Sequence, residues 1–158
     1  MNLKELRWTK NVNATHGEWV YAHDEVSYPY LVPELCLHWK TTAKENAKKP
    51  NPDDLILLRQ RTRVTHIVKI LDDIVHEDNE DSSFTDFALW RRVQVMWMAP
   101  KPWHEAPHQN NVFGFDVDLQ GGKVIALDNI IALQEHFKDA GGIAAFQERV
   151  KQVLGIKV

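Results

Sequence analysis

The sequence predicts a single α+β domain, with β-strands in the middle of the chain and helices at its end. Three observations support this prediction. A continuous apolar run at 55–58 is followed, after a short polar turn, by an alternating run at 63–71. A second alternating run ends at residue 98, and beyond residue 128 the apolar residues recur at helical spacing. The 158 residues are enough for one domain, 1–158, that buries about two thirds of its unfolded surface.

The composition is that of an ordinary soluble globular protein, with 44% hydrophobic and 26% charged residues. A net charge of -3 gives no general attraction to nucleic acid, so any such contact needs a local basic patch. The single cysteine, Cys36, excludes an internal disulfide and fits a reducing compartment. No apolar run approaches the roughly 20 residues that span a bilayer, and the charged start is not a signal peptide. We therefore expect a cytoplasmic protein without a membrane partner.

The first fifty residues predict two short strands and a helix. Runs at 6–10 and 18–23 have strand character, and in the second Trp19 and Tyr21 would share one face. Apolar residues at 35, 37 and 39, followed by the polar run 41–49, predict a helix of about three turns. The proline-rich stretch 50–54 then breaks it.

The middle of the chain predicts a hairpin and a third strand. The apolar run at 55–58 is typical of a strand buried on both faces, although periodicity alone also allows a short helix. In the next strand His66 shares a face with Val64, Val68 and Ile70. Beyond an acidic loop, the strand ending at residue 98 carries Trp97 on one face, and 112–117 alternates as a further short strand.

Two helices are predicted at the C-terminus, at about 128–155. Asp128 can cap the first of them, which carries Leu133 and Phe137 and ends at a glycine pair. The second has one apolar stripe, formed by Ile143, Phe146, Val150 and Leu154.

One string resembles a catalytic motif. His104-Glu105-Ala106-Pro107-His108 has the letters of the zinc-protease pattern, which needs a helix to bring both histidines to one face. Pro107 inside that helix would cost about 3 kcal/mol. We therefore expect a polar loop here, and the sequence predicts no metal site, no cofactor and no catalytic residue.

Basic residues beside aromatic residues are the remaining functional signal. The chain has six tryptophans, and Arg59, Arg61 and Arg63 surround the hairpin turn. Arg91 and Arg92 lie in the third strand, and four lysines mark the preceding helix. Arginine beside tryptophan often holds a single base by stacking and phosphate contact. The alternative is that the arginines pair with acids and the tryptophans fill the core.

Three strings together resemble the PUA-like superfamily and, within it, the EVE domains. They are Asp-Asp-Leu-Ile-Leu-Leu at 53–58, Arg-Val-Thr-His-Ile-Val-Lys-Ile at 63–70 and Trp-Arg-Arg-Val-Gln-Val-Met-Trp at 90–97. The resemblance covers about 18–118. It implies that this region is a small, highly curved β-barrel with flanking helices.

Members of that superfamily hold a modified or flipped-out base of DNA or RNA in an aromatic pocket. The resemblance therefore implies a nucleic-acid-binding module that binds and does not break bonds, with such a nucleic acid as its partner. The implied pocket consists of Trp19, Tyr21, Tyr30, Trp39, His66 and Trp97. The implied nucleic-acid contacts are Arg59, Arg61, Arg63, Arg91 and Arg92.

Two other functions stay open at this point. A small hydrolase on a PUA-like barrel would use His66 or His23 with Lys69 or an acid, and a buried His66 would remove its main candidate. A protein-interaction domain would instead expose the C-terminal apolar stripe to a partner.

Overall fold

The computed structural model describes residues 1–12, 19–22, 33–78, 86–100 and 102–157, and it confirms the α+β class. The strands of this described part are β1 (Leu6–Asn11), β2 (Glu34–Trp39), β3 (Leu55–Gln60), β4 (Arg63–Ile70), β5 (His76–Glu77), β6 (Leu89–Met98) and β7 (Val124–Ala126). Its α-helices are α1 (Lys44–Ala47), α2 (Gln109–Phe113), α3 (Ile131–Phe137) and α4 (Ile143–Val153). Short 3-10 turns lie at Leu3–Glu5, Trp103–Glu105 and Leu127–Asn129.

The strands form one curled mixed sheet, a half-barrel, in the order β2-β6-β4-β3-β1-β7. Strand β5 pairs with β6 beyond the end of β4. All pairs are antiparallel except β1 with β3, which run parallel. The predicted hairpin β3–β4 therefore lies in the middle of the sheet.

Both faces of the central strands are buried, which is why β3 is apolar at every position from Leu55 to Leu58. On one face Leu55 and Leu57 pack with the C-terminal helices. On the other face Ile56 and Leu58 join Trp39 in a second core. The alternation along β3 thus serves two separate hydrophobic clusters.

The two ends of the curled sheet are joined by the side chain of Asn46, in α1. Its Oδ1 accepts hydrogen bonds from Nε1 of Trp39, in β2, at 2.9 Å and from the backbone nitrogen of Val124, in β7, at 2.8 Å. Its Nδ2 donates to the Val124 carbonyl at 2.9 Å. One buried amide therefore bridges the first and last strands of the sheet order.

The predicted C-terminal helices are present, but Asp128 does not cap the first. It lies in a 3-10 turn, and the residue before α3 is Ile130, which makes no side-chain cap. The stripe of α4 packs inward, with the Phe146 ring 5.0 Å from that of Phe113. Phe146 and Val150 are fully buried, so the exposed stripe expected of an interaction domain is not found.

Three predicted elements are wrong, namely the helix at 35–49, the strand at 112–117 and the strand at 18–23, of which residues 19–22 are described. Residues 35, 37 and 39 belong to β2 and not to a helix, because their spacing of two matches a strand whose alternate side chains enter the core. The helix is only α1, one turn long. The strand predicted at 112–117 is replaced by α2, which ends at Gly114 with a φ of 89°. The described residues 19–22 form a bend without strand pairing.

Within the described residues, no helix has the length and apolar character needed to cross a membrane.

Candidate functional site: an aromatic corner at the β3–β4 turn

The two residues between β3 and β4 have an unusual backbone. Arg61 and Thr62 have φ angles of 50° and 65°. Two positive φ angles in a two-residue hairpin are the mark of a type I′ turn, which normally uses Asn and Gly. An L-residue in this region costs about 1–2 kcal/mol, and a β-branched residue such as Thr62 is a clear outlier.

The chain segment 106–109 holds this strained turn in place. The backbone nitrogen of Gln109 donates to the Thr62 carbonyl at 2.7 Å, and that of Val64 donates to the Pro107 carbonyl at 2.9 Å. Nη1 of Arg63 donates to the Ala106 carbonyl at 3.0 Å. The turn is therefore fixed from the outside, as a strained segment must be to persist.

Strained backbone is concentrated at this end of the sheet. Among the described residues, four other than glycine have positive φ, namely Tyr21, Asp53, Arg61 and Thr62. Three of these four meet at the β3–β4 turn, because the segment 19–22 packs beside it. Strain of this kind collects at binding and active sites, so it marks the corner independently of its aromatic content.

At the corner a guanidinium group lies over one indole ring, and a second indole ring contacts the first edge to face. The guanidinium carbon of Arg61 lies over the Trp19 ring, 5.2 Å from its centre. Trp103 meets Trp19 edge to face, with ring centres 5.9 Å apart. Trp103 is 6% exposed, whereas Trp19 is half-buried and Arg61 is exposed. Part of Trp19 and the Arg61 side chain are therefore exposed to solvent, while Trp103 contacts Trp19 from the interior.

A buried polar network positions Trp19 and Tyr21. Oε1 of Gln60 accepts from the Val20 backbone nitrogen at 2.8 Å, and its Nε2 donates to the Val20 carbonyl at 3.0 Å and to Oγ1 of Thr65 at 2.9 Å. Thr65 Oγ1 lies 2.8 Å from Nδ1 of His66, whose Nε2 lies 2.9 Å from the Tyr21 carbonyl. The segment 19–22 is thus held by side chains of β3 and β4.

The roles within the network follow from what each atom can donate. The Tyr21 carbonyl can only accept, so Nε2 of His66 carries a hydrogen. In the neutral ring Nδ1 then accepts from the Thr65 hydroxyl, whose oxygen in turn accepts from Gln60. His66 is fully buried and both its ring nitrogens are engaged. The hydrolase alternative therefore loses its main general base, and His66 acts as a support beneath the pocket.

Four of the six predicted pocket residues meet at this corner. Trp19 and Trp97 pack against the small cluster around Trp103. The Tyr21 and His66 rings meet edge to face, with ring centres 6.3 Å apart. Tyr30 lies outside the described residues. Trp39 is fully buried in the second core, under the ammonium group of Lys10 at 5.0 Å, and is not part of the corner.

The five predicted arginines are divided between two ends of the sheet. Arg61 and Arg63 belong to the corner. Arg59 is 2% exposed and donates to Oγ1 of Thr9 and to Oε1 of Gln109. Arg91 is 1% exposed and donates to backbone carbonyls of Ala47, Pro50 and Asp72. Arg92 is exposed but forms an ion pair with Glu34 at 3.2 Å. Arg59 and Arg91 thus lie in the interior, and their buried guanidinium groups are not available to a ligand at the surface.

Two buried cations have no acidic partner among the described residues. Burial lowers the pKa of Lys10 to about 7, and its Nζ donates to the Gly122 carbonyl. Burial likewise lowers the pKa of Arg59 to about 10, and its Nη2 has no hydrogen-bond partner. Uncompensated buried charge is costly, so both residues reduce the stability of the fold.

Sequence reasoning missed Gln60 and Trp103. Gln60 is the last residue of β3, beside the turn. A polar residue at the end of an otherwise apolar strand is the signal that could have identified it. Trp103 follows two prolines in a segment treated as irregular, and it proves to be the base of the stack.

The letters that match the zinc-protease motif do not form a site. Residues Trp103–Glu105 make a 3-10 turn, and His108 has an extended backbone before α2. Across 1–12, 19–22, 33–78, 86–100 and 102–157, no group of three or more His, Cys, Asp or Glu could hold a metal ion. The expectation of a polar loop at 104–108 is therefore confirmed.

A groove of about 670 Å³ lies elsewhere, between the N-terminal residues and α4. It contains no aromatic residue, and its buried amide, Gln147, is engaged by the carbonyls of Lys4 and Leu6. The groove therefore offers little that would fix the orientation of a ligand. The aromatic corner is the better candidate site.

Comparisons of the chain with protein-family models, with curated proteins and with solved structures found no match. A function for this chain must therefore be inferred from its own sequence and geometry.

Proposed function

We propose that this chain is a nucleic-acid-binding module that holds an unstacked base at the aromatic corner. The observation behind the proposal is the stack of Arg61 on Trp19, with Trp103 beneath it. Every base has a flat π-face that can stack on an indole, and an adjacent arginine adds a cation–π contact and can bind phosphate.

The kind of base is a further part of the proposal. We propose that the base carries a modification or is flipped out of a duplex, as in the PUA-like and EVE domains that the sequence resembles. The curled half-barrel is compatible with that relationship. Extruding a base costs a few kcal/mol, and stacking on aromatic side chains can offset this cost. We further propose a cytoplasmic location, which the exposed free thiol of Cys36 favours.

Tryptophan fluorescence titrations test the proposal. The probes are single-stranded oligonucleotides and duplexes with a single unpaired base, each with and without 5-methylcytosine or N6-methyladenine. Binding should change the fluorescence of Trp19. Base–aromatic stacking contributes about 1–3 kcal/mol, so Trp19→Leu should weaken binding by about 5- to 150-fold, measured by the fluorescence anisotropy of a labelled oligonucleotide because this variant lacks the reporting tryptophan. Circular dichroism and urea unfolding would confirm that the variant is folded.

Matched variants locate the site. Trp90 is another half-buried tryptophan, stacked on His76 with ring centres 4.0 Å apart. It lies near the start of β6, far from the corner, so Trp90→Leu should leave affinity unchanged. In the same way Arg61→Gln should weaken binding and Arg92→Gln should not. Unchanged fluorescence with every probe at moderate salt would refute the proposal. Equal losses in Trp19→Leu and Trp90→Leu would refute the location.

A further inference from the structure

We infer that the corner takes a ligand of one nucleotide, a base with its own phosphate, and not an extended polynucleotide strand. This inference rests on the proposed function and names its ligand class. It follows from the small number of cations at the corner and from their separation from the other basic groups.

Arg61 and Arg63 supply the positive charge of the corner. Both belong to the β3–β4 turn, and no carboxylate of the described chain lies within ion-pair distance of either. Nη1 of Arg63 is engaged by the Ala106 carbonyl, while Arg61 extends over Trp19. Two guanidinium groups at one turn can contact about one or two phosphates.

The lysines of α1 and the arginines of β6 lie at the far end of the sheet. His66 pairs with Met98, so the corner adjoins the last residues of β6. Helix α1 with its lysines adjoins residue 91, because Nη1 of Arg91 donates to the Ala47 carbonyl at 3.1 Å. Positions 91 and 98 are separated by about 23 Å at about 3.3 Å per residue. A phosphate held at the corner cannot contact these lysines.

Three of the cations away from the corner are buried or paired with an acid. Lys10 and Arg59 lie in the interior, and Arg92 forms its ion pair with Glu34. Proteins that bind long single strands have a continuous basic groove that follows the backbone. The described surface between the corner and α1 does not provide one, and the net charge of the chain is -3.

A length series tests this inference. Dissociation constants would be measured for a nucleoside monophosphate and for homopolymers of the same base with two, four and eight nucleotides. Each association constant is divided by the number of positions at which the oligomer can place a nucleotide in the corner, which is the number of binding registers. The resulting values should agree within about threefold. The slope of log K against log salt should be about -0.7 to -1.4, since about 0.7 is expected for each phosphate contacted on a single strand.

Two outcomes separate this inference from the proposed function. An affinity per register that rises more than about tenfold from the monophosphate to the octamer, or a slope steeper than about -3, overturns the single-nucleotide ligand and leaves the nucleic-acid function intact. Absence of binding at every length overturns both. Arg61→Gln should make the slope shallower by about 0.7, whereas Arg92→Gln should leave it unchanged, and the reverse result would also overturn the inference.

Discussion

The side-chain amide of Gln60 binds both sides of Val20, accepting from its backbone nitrogen at 2.8 Å and donating to its carbonyl at 3.0 Å. A single side chain thus makes the pair of hydrogen bonds that a neighbouring strand would make. Because residues 19–22 have no strand pairing, this contact replaces it and fixes Trp19 beside Arg61.

Replacing Gln60 by Glu should therefore release this segment. A carboxylate can accept from Val20 but cannot donate to its carbonyl or to Thr65, which leaves buried acceptors unpaired at about 1–3 kcal/mol. Burial raises the pKa of the new carboxyl, so the loss should shrink as the pH falls and the group is protonated. Urea unfolding at pH 5 and pH 8 measures both effects. An equal loss at the two pH values would contradict the assigned donor roles.

Lys10 should make stability depend on pH. Its pKa is lowered by burial to about 7 in the folded protein, so between pH 7 and about 10 the unfolded chain binds more protons than the folded one. The free energy of unfolding should therefore rise with pH across this window, by on the order of a few kcal/mol in total. Urea unfolding from pH 6.5 to 9.5 measures this rise.

The variant Lys10→Met isolates the effect of this one residue. It keeps the side-chain volume and removes the charge, so it should be more stable than the parent protein at pH 6.5. The difference between the free energies of unfolding of the two proteins should narrow as the pH increases. Cys36 titrates in both proteins and cancels in the comparison, whereas the charge of Lys10 contributes to lowering the pKa of His38, so the His38 titration changes in the variant as well. A constant difference would show that Lys10 titrates as it does in the unfolded chain.

A carboxylate placed beside Arg59 should stabilise the fold. Oε1 of Gln109 already accepts from Nη1 of Arg59 at 3.1 Å, so Gln109→Glu puts a negative charge at a buried cation that has none. Charge-assisted hydrogen bonds are about twice as strong as neutral ones, and we expect a gain of about 1–2 kcal/mol. Arg59 lowers the pKa of the new carboxyl, so the gain is present above about pH 4 and is lost below it.

Gln147→Glu is the matched control for that gain. Gln147 is as buried as Gln109, but its amide donates to two carbonyls, those of Lys4 at 3.2 Å and Leu6 at 3.1 Å, whereas the amide of Gln109 makes one long contact of 3.5 Å to the Val117 carbonyl. The same substitution should therefore destabilise the protein there. Thermal unfolding at pH 7 distinguishes the two, and a change of the same sign in both variants would contradict the argument from Arg59.

The strain of the β3–β4 turn can be relieved at Thr62. Glycine adopts a φ of 65° without steric cost, so Thr62→Gly should stabilise the protein by about 0.5–1 kcal/mol after its larger unfolded-state entropy is counted. Thr62→Ala keeps a Cβ and should give no gain. If both variants have the same unfolding midpoint in urea, the turn is not strained at this residue.

Gly114 and Gly121 allow a backbone effect to be separated from a clash. Both have positive φ, 89° and 80°, so alanine is strained at either position. A Cβ on Gly114 would lie 2.8 Å from Nε of Arg149 and 3.2 Å from Nε2 of His136, whereas at Gly121 nothing lies within 4 Å. Gly114→Ala should therefore cost more stability than Gly121→Ala, by about 1 kcal/mol or more. Equal losses in thermal unfolding would show that the Arg149 side chain simply moves away.

The hairpin and the C-terminal helices could be predicted because local pattern and burial agree there. Strand β3 is apolar at consecutive positions and is buried on both faces, and the stripe of α4 packs on one side. Strand β2 was mistaken for a helix because helix-favouring residues follow it, although Leu35 and Leu37 alternate as in a strand. The spacing signal was correct and the neighbouring composition was misleading.

The candidate site was predictable in part. Trp19 and Arg61 could be named because tryptophan and arginine are residue types that bind nucleic-acid bases. The structure brings them together although they are about 40 positions apart in the sequence. Which arginines reach the surface could not be predicted. Arg59 is held in the interior by Thr9 and Gln109, and Arg91 by the carbonyls of Ala47, Pro50 and Asp72, and these contacts are tertiary features. The strain at Tyr21 and Thr62 likewise leaves no mark in the residue types.

The position of β1 has a consequence for the order in which the chain can fold. Its partner β3 is parallel, its other partner β7 begins at residue 124, and Gln147 binds the carbonyl of Lys4 across 143 residues. During synthesis β1 must therefore wait, with one edge open, until the residues of β7 have left the ribosome. Contacts so distant in sequence slow folding, and an open strand edge favours association with other chains. The nascent protein should accordingly depend on chaperones more than its modest size suggests.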